Sequence, residues 1–431
     1  MMAMASACGN ATQAMTAVVF SAALSGNASQ PELPANTPQP QLSTATPQSG
    51  LPTNTPQPGL SSAAKQDSGY QHAEAEAQQY PFLKMDYQPE NNPQEEIAVT
   101  VRRLVESKDQ PVIALLGATS NESSMRLASL SNFFNLPMII PSSVGDNLLP
   151  SNNLWGFRLS APGASHAQYF FGSVLTRSMV QSFGDASELA AAPAPFKVAI
   201  LYEQNTFGES AAVAAAKEAM KQGMEIGFYG YFDPATPDST RLKGQAEEIM
   251  NQGIHLVYLI GSQPQVALVV IKTIRDVIPK DEMPVLLGQS GAFSSSEFLG
   301  YPESQGMFVL RQKIVTDQCP TGIKSLTEAQ SYAAIVLLRL AMQQAKDLAG
   351  NTYAAQTLVQ KREAVRDALK ATNNKDLDCL GQVSFDNTGQ NKNLQFEILQ
   401  ITPNGPAAID AKAFGEILKP IYSRSPFDIG Q

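Results

Sequence analysis

Charge is almost missing from the first 64 residues, where Glu32 is the only charged side chain. Residues 31–60 are instead dominated by Pro, Thr, Gln, Ser and Asn, and the phrase Asn36-Thr-Pro-Gln-Pro40 returns as Asn54-Thr-Pro-Gln-Pro58. Such a segment cannot bury enough apolar surface to offset its ordering entropy, so residues 27–70 read as an extended, partly polyproline linker or insertion. Histidine is scarce: with only His72, His166 and His255, a histidine-based metal site is not expected. Gly-x-x-x-x-Gly-Lys-Ser/Thr, Cys-x-x-Cys, His-Glu-x-x-His and Gly-x-Gly-x-x-Gly are all missing, which removes the motif-borne phosphate, redox, metal and dinucleotide chemistries. Ser290 is followed by Gly291 and Ala292, so Gly-x-Ser-x-Gly is missing as well. The chain therefore reads as a binding module and not an enzyme, with no cofactor and no metal. Lys and Arg never cluster beyond pairs such as Arg102-Arg103, and a net charge of −9 argues against nucleic acid or an anionic membrane surface as partner. No apolar run reaches the roughly eighteen residues needed to span a bilayer.

What is there is a large globular chain. At 431 residues it exceeds one ordinary core, so two domains are expected. From about Phe82 onward short apolar runs alternate with helical patterns, as in a βαβ parallel sheet. Strands are predicted at 82–86, 112–116, 137–140 and 155–159, then in a second series at 197–202, 226–231, 255–260, 284–288 and 307–311. Ile97, Val101, Leu104 and Val105 recur at helical spacing, as do Leu127, Leu130, Phe133 and Phe134. A long helix is expected at 325–348 and a shorter one at 360–371. Gly381–Asp386 and Asn393–Ile401 then read as a hairpin-like pair around an Asn-Thr-Gly turn. Two βα series of similar size predict two α/β lobes.

The most informative stretch is Pro111-Val-Ile-Ala-Leu-Leu-Gly117-Ala-Thr-Ser-Asn121-Glu, followed by Leu136-Pro-Met-Ile-Ile-Pro141-Ser-Ser-Val144. It reads as buried strand, small polar loop, helix, buried strand and second small polar loop. In an open parallel sheet both loops emerge at the carboxyl ends of their strands, where ligands bind, and the first opens a helix N-terminus. Thr119 with Glu122 fits a capping box, so the same residues also suit a purely helix-starting role.

These features resemble the type I periplasmic binding proteins, in particular the Leu/Ile/Val-binding group that feeds ABC transporters. The likeness spans about 82–403. It rests on Asp86 with Asn92-Pro93, the Gly117 loop, Ile140-Pro-Ser-Ser143, Phe157-Arg158, Tyr202-Glu-Gln-Asn-Thr-Phe207-Gly208 and Gly381-Gln-Val-Ser-Phe-Asp386. It implies two Rossmann-like lobes with parallel sheets, joined by a three-crossover hinge that closes on a small ligand. Lobe one would take 15–26, 72–159 and 322–378; lobe two 162–312 and 380–403; residues 404–431 would be a C-terminal tail. The implied role is extracytoplasmic capture of a small polar or amino-acid-like solute for an ABC permease, as in amino acid transport. The alternative is a ligand-sensing or degenerate module of the same fold.

Carried over residue by residue, the resemblance puts Ser120, Asn121, Ser142 and Ser143 of lobe one on the ligand. Val144 stands where the amino-acid binders carry a threonine, so one hydroxyl donor is lost. From lobe two come Phe207, on the site of a tyrosine that packs on the ligand, and Ser262, Gln263, Gln289 and Ser290. Ser290 takes the place of the glutamate that pairs with a ligand ammonium, which argues against a leucine-like amino acid unless another acid substitutes. His166, in Gly163-Ala-Ser-His166-Ala-Gln168, suits either a structural or a cleft-lining position, while His255, at a strand start, is expected to be structural.

The N-terminus keeps two readings. Ala5-Ser-Ala-Cys8-Gly resembles the cleavage box of bacterial lipoproteins, with Cys8 as lipidation site and membrane contact only through that anchor; the other reading is an ordinary cysteine. Residues 1–13 would then be an export segment, with the annotated start lying too far downstream. Met15–Gly26 suits either a first strand or the apolar part of a signal peptide. In an exported protein Cys319 and Cys379 suit a disulfide or two buried thiols, and the resemblance puts both beside crossovers.

Overall fold

The computed structural model describes residues 15–21, 83–89, 96–107, 111–118, 120–183, 195–323 and 325–422. The linker 27–70, Cys8 and His72 lie outside the described residues. Lobe one begins with β1 (Met15–Ser21), β2 (Leu83–Pro89), α1 (Ile97–Glu106), β3 (Val112–Leu116), α2 (Asn121–Phe134), β4 (Met138–Ile140) and β5 (Gly156–Arg158). Its five strands are all parallel, in the order β2-β1-β3-β4-β5. Residues 15–21 thus form a central strand, the first of the two readings above. Every residue of β3 and β4 is buried, which is why those segments read as continuous apolar runs and not alternating ones.

From β5 the chain passes to a second unit. It comprises α3 (Gly163–Tyr169), a π-helical turn (Phe170–Leu175), α4 (Thr176–Phe183), β6 (Lys197–Glu203), α5 (Thr206–Lys221), β7 (Glu225–Phe232), α6 (Ser239–Asn251), β8 (Leu256–Ile260), α7 (Pro264–Val277), β9 (Val285–Gln289), α8 (Ser296–Leu299) and β10 (Phe308–Gln312). It then returns to lobe one as α9 (Leu326–Ala349), α10 (Leu358–Lys370), β11 (Lys375–Leu377) and β12 (Gly381–Val383), and crosses once more to β13 (Phe396–Thr402), β14 (Gly405–Ile409) and α11 (Ala411–Tyr422). The second sheet runs β14-β13-β10-β9-β8-β6-β7, antiparallel only at β13 and β14. Three crossovers therefore join the lobes, at 159–162, 313–325 and 384–395.

Helix α9 is set by local chemistry and by packing. Ser325 and Glu328 form a capping box at its start. Its buried face, from Ala329 to Ala345, packs on Ile113, Leu116, Ile139 and Phe157 of the first sheet. Arg362 of α10 donates from Nε and Nη2 to the Val112 carbonyl at 2.9 and 2.8 Å. These contacts make residues 326–383 part of lobe one.

Three expectations need correction. Residues 405–422 are not a tail: β14 pairs with β13, and Phe414 and Leu418 of α11 are buried in the lobe-two core with Phe170 and Phe308. Gly381–Asp386 and Asn393–Ile401 pair only beside the turn, through the antiparallel Phe385–Asn391 bridge and the Lys392 N–H donating to the Ser384 carbonyl; further out β12 pairs with β11 while β13 pairs with β10 and β14. The turn between them is real, with Asp386 Oδ1 accepting from the Thr388 and Gln390 N–H groups, but it serves as the third crossover. Phe133, placed on the core stripe of α2, is 74% exposed and meets Phe134 edge-on.

Candidate functional site

Both sheets reverse their strand order once, at β1/β3 in lobe one and β6/β8 in lobe two. Ligands of doubly wound sheets bind outside the strand carboxyl ends at such points. In lobe one the loop after β3 starts α2, with Ser120 as N-cap accepting from the Ser123 N–H at 3.3 Å. The cap is Ser120, and Thr119 lies outside the described residues. Glu122 turns outward and pairs with Arg126 at 2.7 Å, so its carboxylate does not oppose an anion at the helix start.

The next loop is tied back onto this one. Asn121 Oδ1 accepts from the Gly145 N–H at 2.6 Å. Ser143, fully buried, shares a hydrogen bond with Ser124 at 2.6 Å, and its hydroxyl oxygen lies 3.1 Å from the carbonyl oxygens of both Ala118 and Ser120, alternative acceptors for its one hydrogen. Two of the expected ligand residues thus spend most of their polar atoms holding loop to loop. Ser142 differs: its hydroxyl is buried with no hydrogen-bond partner among the described residues. Val144 enters an apolar cluster with Phe207 and Ala211 of lobe two, so this pair joins the lobes by packing, and Phe207 is only 3% exposed.

In lobe two the loops after β6 and β8 meet through a carboxylate of the Tyr202–Gly208 motif. Glu203, 1% exposed, accepts from the Ser262 N–H, from Ser262 Oγ at 2.6 Å and from Asn205 Nδ2 at 2.6 Å. Ser262 is therefore held by Glu203, and Gln263 is exposed at the start of α7. Ser290 is buried at the end of β9, its N–H bonded to the Leu310 carbonyl at 2.7 Å. Beside it Gln289, fully buried, accepts from the Tyr258 hydroxyl at 3.0 Å.

Nearer the crossovers lies a polar group that includes Arg158 of the Phe157-Arg158 motif. Arg158, at the end of β5, is entirely buried. It donates to Ser160 Oγ at 3.1 Å and to the Ser143 carbonyl at 2.9 Å. Burial lowers its pKa to about 9, so it stays charged at neutral pH; Asp146 opposes that shift. Asp146 Oδ1 accepts from the Ala164 N–H at 2.8 Å, bridging the lobe-one loop to α3, and burial raises its pKa despite that bond and Arg158. His166 is buried beneath Phe396 with Nδ1 2.9 Å from the Pro162 carbonyl. Among the described residues no group of His, Cys, Asp and Glu is arranged to hold a metal ion, and no helix is long and apolar enough to cross a membrane.

The two described histidines give a pH prediction. Burial lowers the pKa of both His166 and His255 to about 4; His255 Nδ1 also accepts from the Lys197 N–H, a structural bond. A folded pKa below the unfolded value near 6.5 means that stability is fully present above pH 6.5 and is lost as pH falls toward 4. Asp146, shifted upward, works weakly the other way. Urea melts should therefore lose on the order of 1–2 kcal/mol per histidine between pH 7 and pH 5. A flat profile over that range would show the imidazoles to be solvated.

No protein-family model and no curated protein matches the sequence. Solved structures match its shape. A leucine-binding protein from Thermotoga maritima superposes with a TM-score of 0.65 at 12% identity, covering 92% of this chain and 97% of that one. An ABC transporter solute-binding protein from R. palustris in complex with benzoate gives 0.62 at 12% identity, covering 92% and 96%. A substrate-binding protein from Desulfitobacterium hafniense in complex with Leu gives 0.57 at 15% identity, covering 79% and 94%. With its two doubly wound sheets and three crossovers, the chain has the fold of the type I periplasmic binding proteins.

Proposed function

We propose that the protein is an extracytoplasmic solute-binding protein that captures a small polar ligand between its lobes by hinge closure and passes it to an ABC permease, without catalysing a reaction. The observation that carries this reading is that each lobe has one strand-order reversal with small polar loops at it, and that three crossovers join the lobes. The neighbours that bind leucine and benzoate support a small-molecule ligand. Within the site Ser142 contributes its hydroxyl from lobe one, where Asn121 holds the two loops together, and Gln289 and Ser290 contribute from lobe two. Phe207 and Val144 form the apolar contact on which the lobes close. Ser120 and Ser143 set the loop geometry, and Ser262 with Gln263 borders the opening.

A ligand present at a hundred times its dissociation constant adds about 2.7 kcal/mol to stability. Melts against amino acids, organic acids, amides, polyols, short peptides and nucleobases are therefore expected to give at least one shift of several degrees. The same ligand should contract the particle in small-angle X-ray scattering. The second reading, a sensing or degenerate module, is favoured by Glu203 already occupying Ser262. It would be adopted if a folded protein stayed silent across the panel.

A further inference from the structure

Three tyrosines that the proposed solute site does not use stand together on lobe two. Tyr202 of β6 lies opposite Tyr231 of β7 in the sheet register, and Tyr229 comes two residues before Tyr231, so all three share one face. The ring centroids of Tyr202 and Tyr229 are 5.3 Å apart, and those of Tyr202 and Tyr231 are 6.1 Å apart. Tyr229 is 42% exposed, and the other two are half-buried. Among the described residues β7 is the last strand of its sheet. The exposed Arg241 of α6 holds its guanidinium carbon 3.7 Å from the centre of the Tyr231 ring. On α5, Glu209 lies near enough to Tyr202 and Tyr229 to oppose ionisation of either hydroxyl. Rings kept half in water beside a fixed cation form a platform for a ligand that is apolar on one side and polar on the other.

The chain itself carries such a ligand. Residues 37–63 repeat with a period of nine: Thr37-Pro-Gln39, Thr46-Pro-Gln48 and Thr55-Pro-Gln57 open the units, and Leu42, Leu51 and Leu60 follow at the same place in each. A polyproline helix has three residues per turn, so a period of nine returns every residue to the same edge. Pro38, Pro47 and Pro56 fall on one edge and the three leucines on the next; two neighbouring edges of a three-sided helix rest on a surface together. The carbonyls of such a helix have no internal partners, and Arg241 offers them planar donors. Residues 33–64 carry no charge, so Glu209 meets no like charge there. Reach is sufficient as well. The segment leaves β1 at Ser21, and both Ser21 and the tyrosine row lie toward strand carboxyl ends, the cleft side of each lobe. As polyproline, residues 22–38 span roughly 50 Å and residues 56–82 roughly 80 Å. A lobe of this size is only about 40 Å across.

We infer that the platform of Tyr202, Tyr229 and Tyr231 docks the nine-residue repeats of the chain's own Pro-rich segment, residues 37–60, as a polyproline helix. Aromatic rows suit such a helix because it is ordered before it binds, which lowers the entropy cost of docking. Three equivalent units on one tether raise the docked population without any tighter contact. The inference is independent of solute capture, since it concerns the β7 edge of lobe two and holds whatever the cleft binds.

Two measurements on the full chain test it. With p-benzoylphenylalanine at position 229, irradiation is expected to cross-link that position to residues 37–60 within the monomer. Subtilisin digestion, mapped by mass spectrometry, gives the second readout. Tyr229→Ala and Arg241→Ala should each speed cutting within residues 37–60 at least fivefold, whereas Tyr229→Phe, which keeps the ring, should stay within twofold of wild type. With Pro38, Pro47 and Pro56 all replaced by alanine, Tyr229→Ala should add nothing further. Cross-links confined to other parts of the chain overturn the inference, as does cutting that neither alanine variant accelerates. Cross-linked dimers through the repeats would hand the platform to a second copy and overturn docking within one chain. Suppression of the cross-link by a soluble cello- or chito-oligosaccharide, but not by excess free peptide of residues 34–60, would make the platform a sugar site and overturn it equally.

Discussion

Replacing Gly389 with alanine is expected to lower the unfolding free energy by about 2–5 kcal/mol and the melting midpoint by roughly 5–15 °C. Gly389 has a φ of +83°, and an added Cβ would lie 2.1 Å from the Gly156 carbonyl oxygen. That oxygen cannot withdraw easily. It accepts from Asn153 Nδ2 at 2.7 Å, and the same amide reaches the Thr388 carbonyl at 2.9 Å. Gly389 itself accepts from the Arg158 N–H at 2.8 Å. The third crossover is thus stitched to the edge of β5 at the residue before the hinge. Gly405, with a φ of +103° and nothing within 4 Å of its added Cβ, separates backbone strain from overlap: its alanine variant should cost about 1 kcal/mol. Equal losses at the two positions would show that overlap with Gly156 is not the cause.

Gly389 also marks where sequence reading stops. The turn residues Asn387-Thr-Gly389 are visible as a turn, but a turn says nothing about whether its arms pair with each other or leave for different sheets. The parallel strands were legible because they are buried on both faces: β3 and β8 are apolar from end to end. Helix α11 was missed because the surface that buries Phe414 comes from Phe170 and Phe308, far away in sequence. The site was legible only as loops. Ser120, Asn121 and Ser143 lie where a strand carboxyl end demands small polar residues, yet the same chemistry serves capping and loop stitching. Whether a side chain is spent on the protein or left for a ligand depends on its partners. Ser262 is engaged by Glu203, 59 residues earlier. Arg158 was legible only as part of a motif and His166 only as a cleft candidate; that these two and Asp146 keep unpaired buried atoms follows from the packing among the described residues.

Removing both Cys319 and Cys379 as alanines is expected to cost about 2–4 kcal/mol, or roughly 5–12 °C in melting midpoint. The two are bonded across a sequence separation of 60, a loop for which the chain-entropy model gives about 4 kcal/mol as the full effect. Their placement decides what the bond does for function. Cys379 is fully buried in the lobe-one core, Cys319 packs against that same cluster, and the Cys379 carbonyl accepts from the Val315 N–H at 2.9 Å. Both ends therefore lie on the lobe-one side, and the bond pins the roots of the second and third crossovers to one body without tying the lobes together. A bond so placed stiffens the base of the hinge and leaves the rotation above it free. The double alanine variant should accordingly lose stability while keeping ligand affinity within about threefold. An affinity loss beyond tenfold with stability unchanged would instead place the bond in the closing motion. Disulfides form and persist in oxidising compartments, which is consistent with the solute capture outside the cytoplasm proposed above.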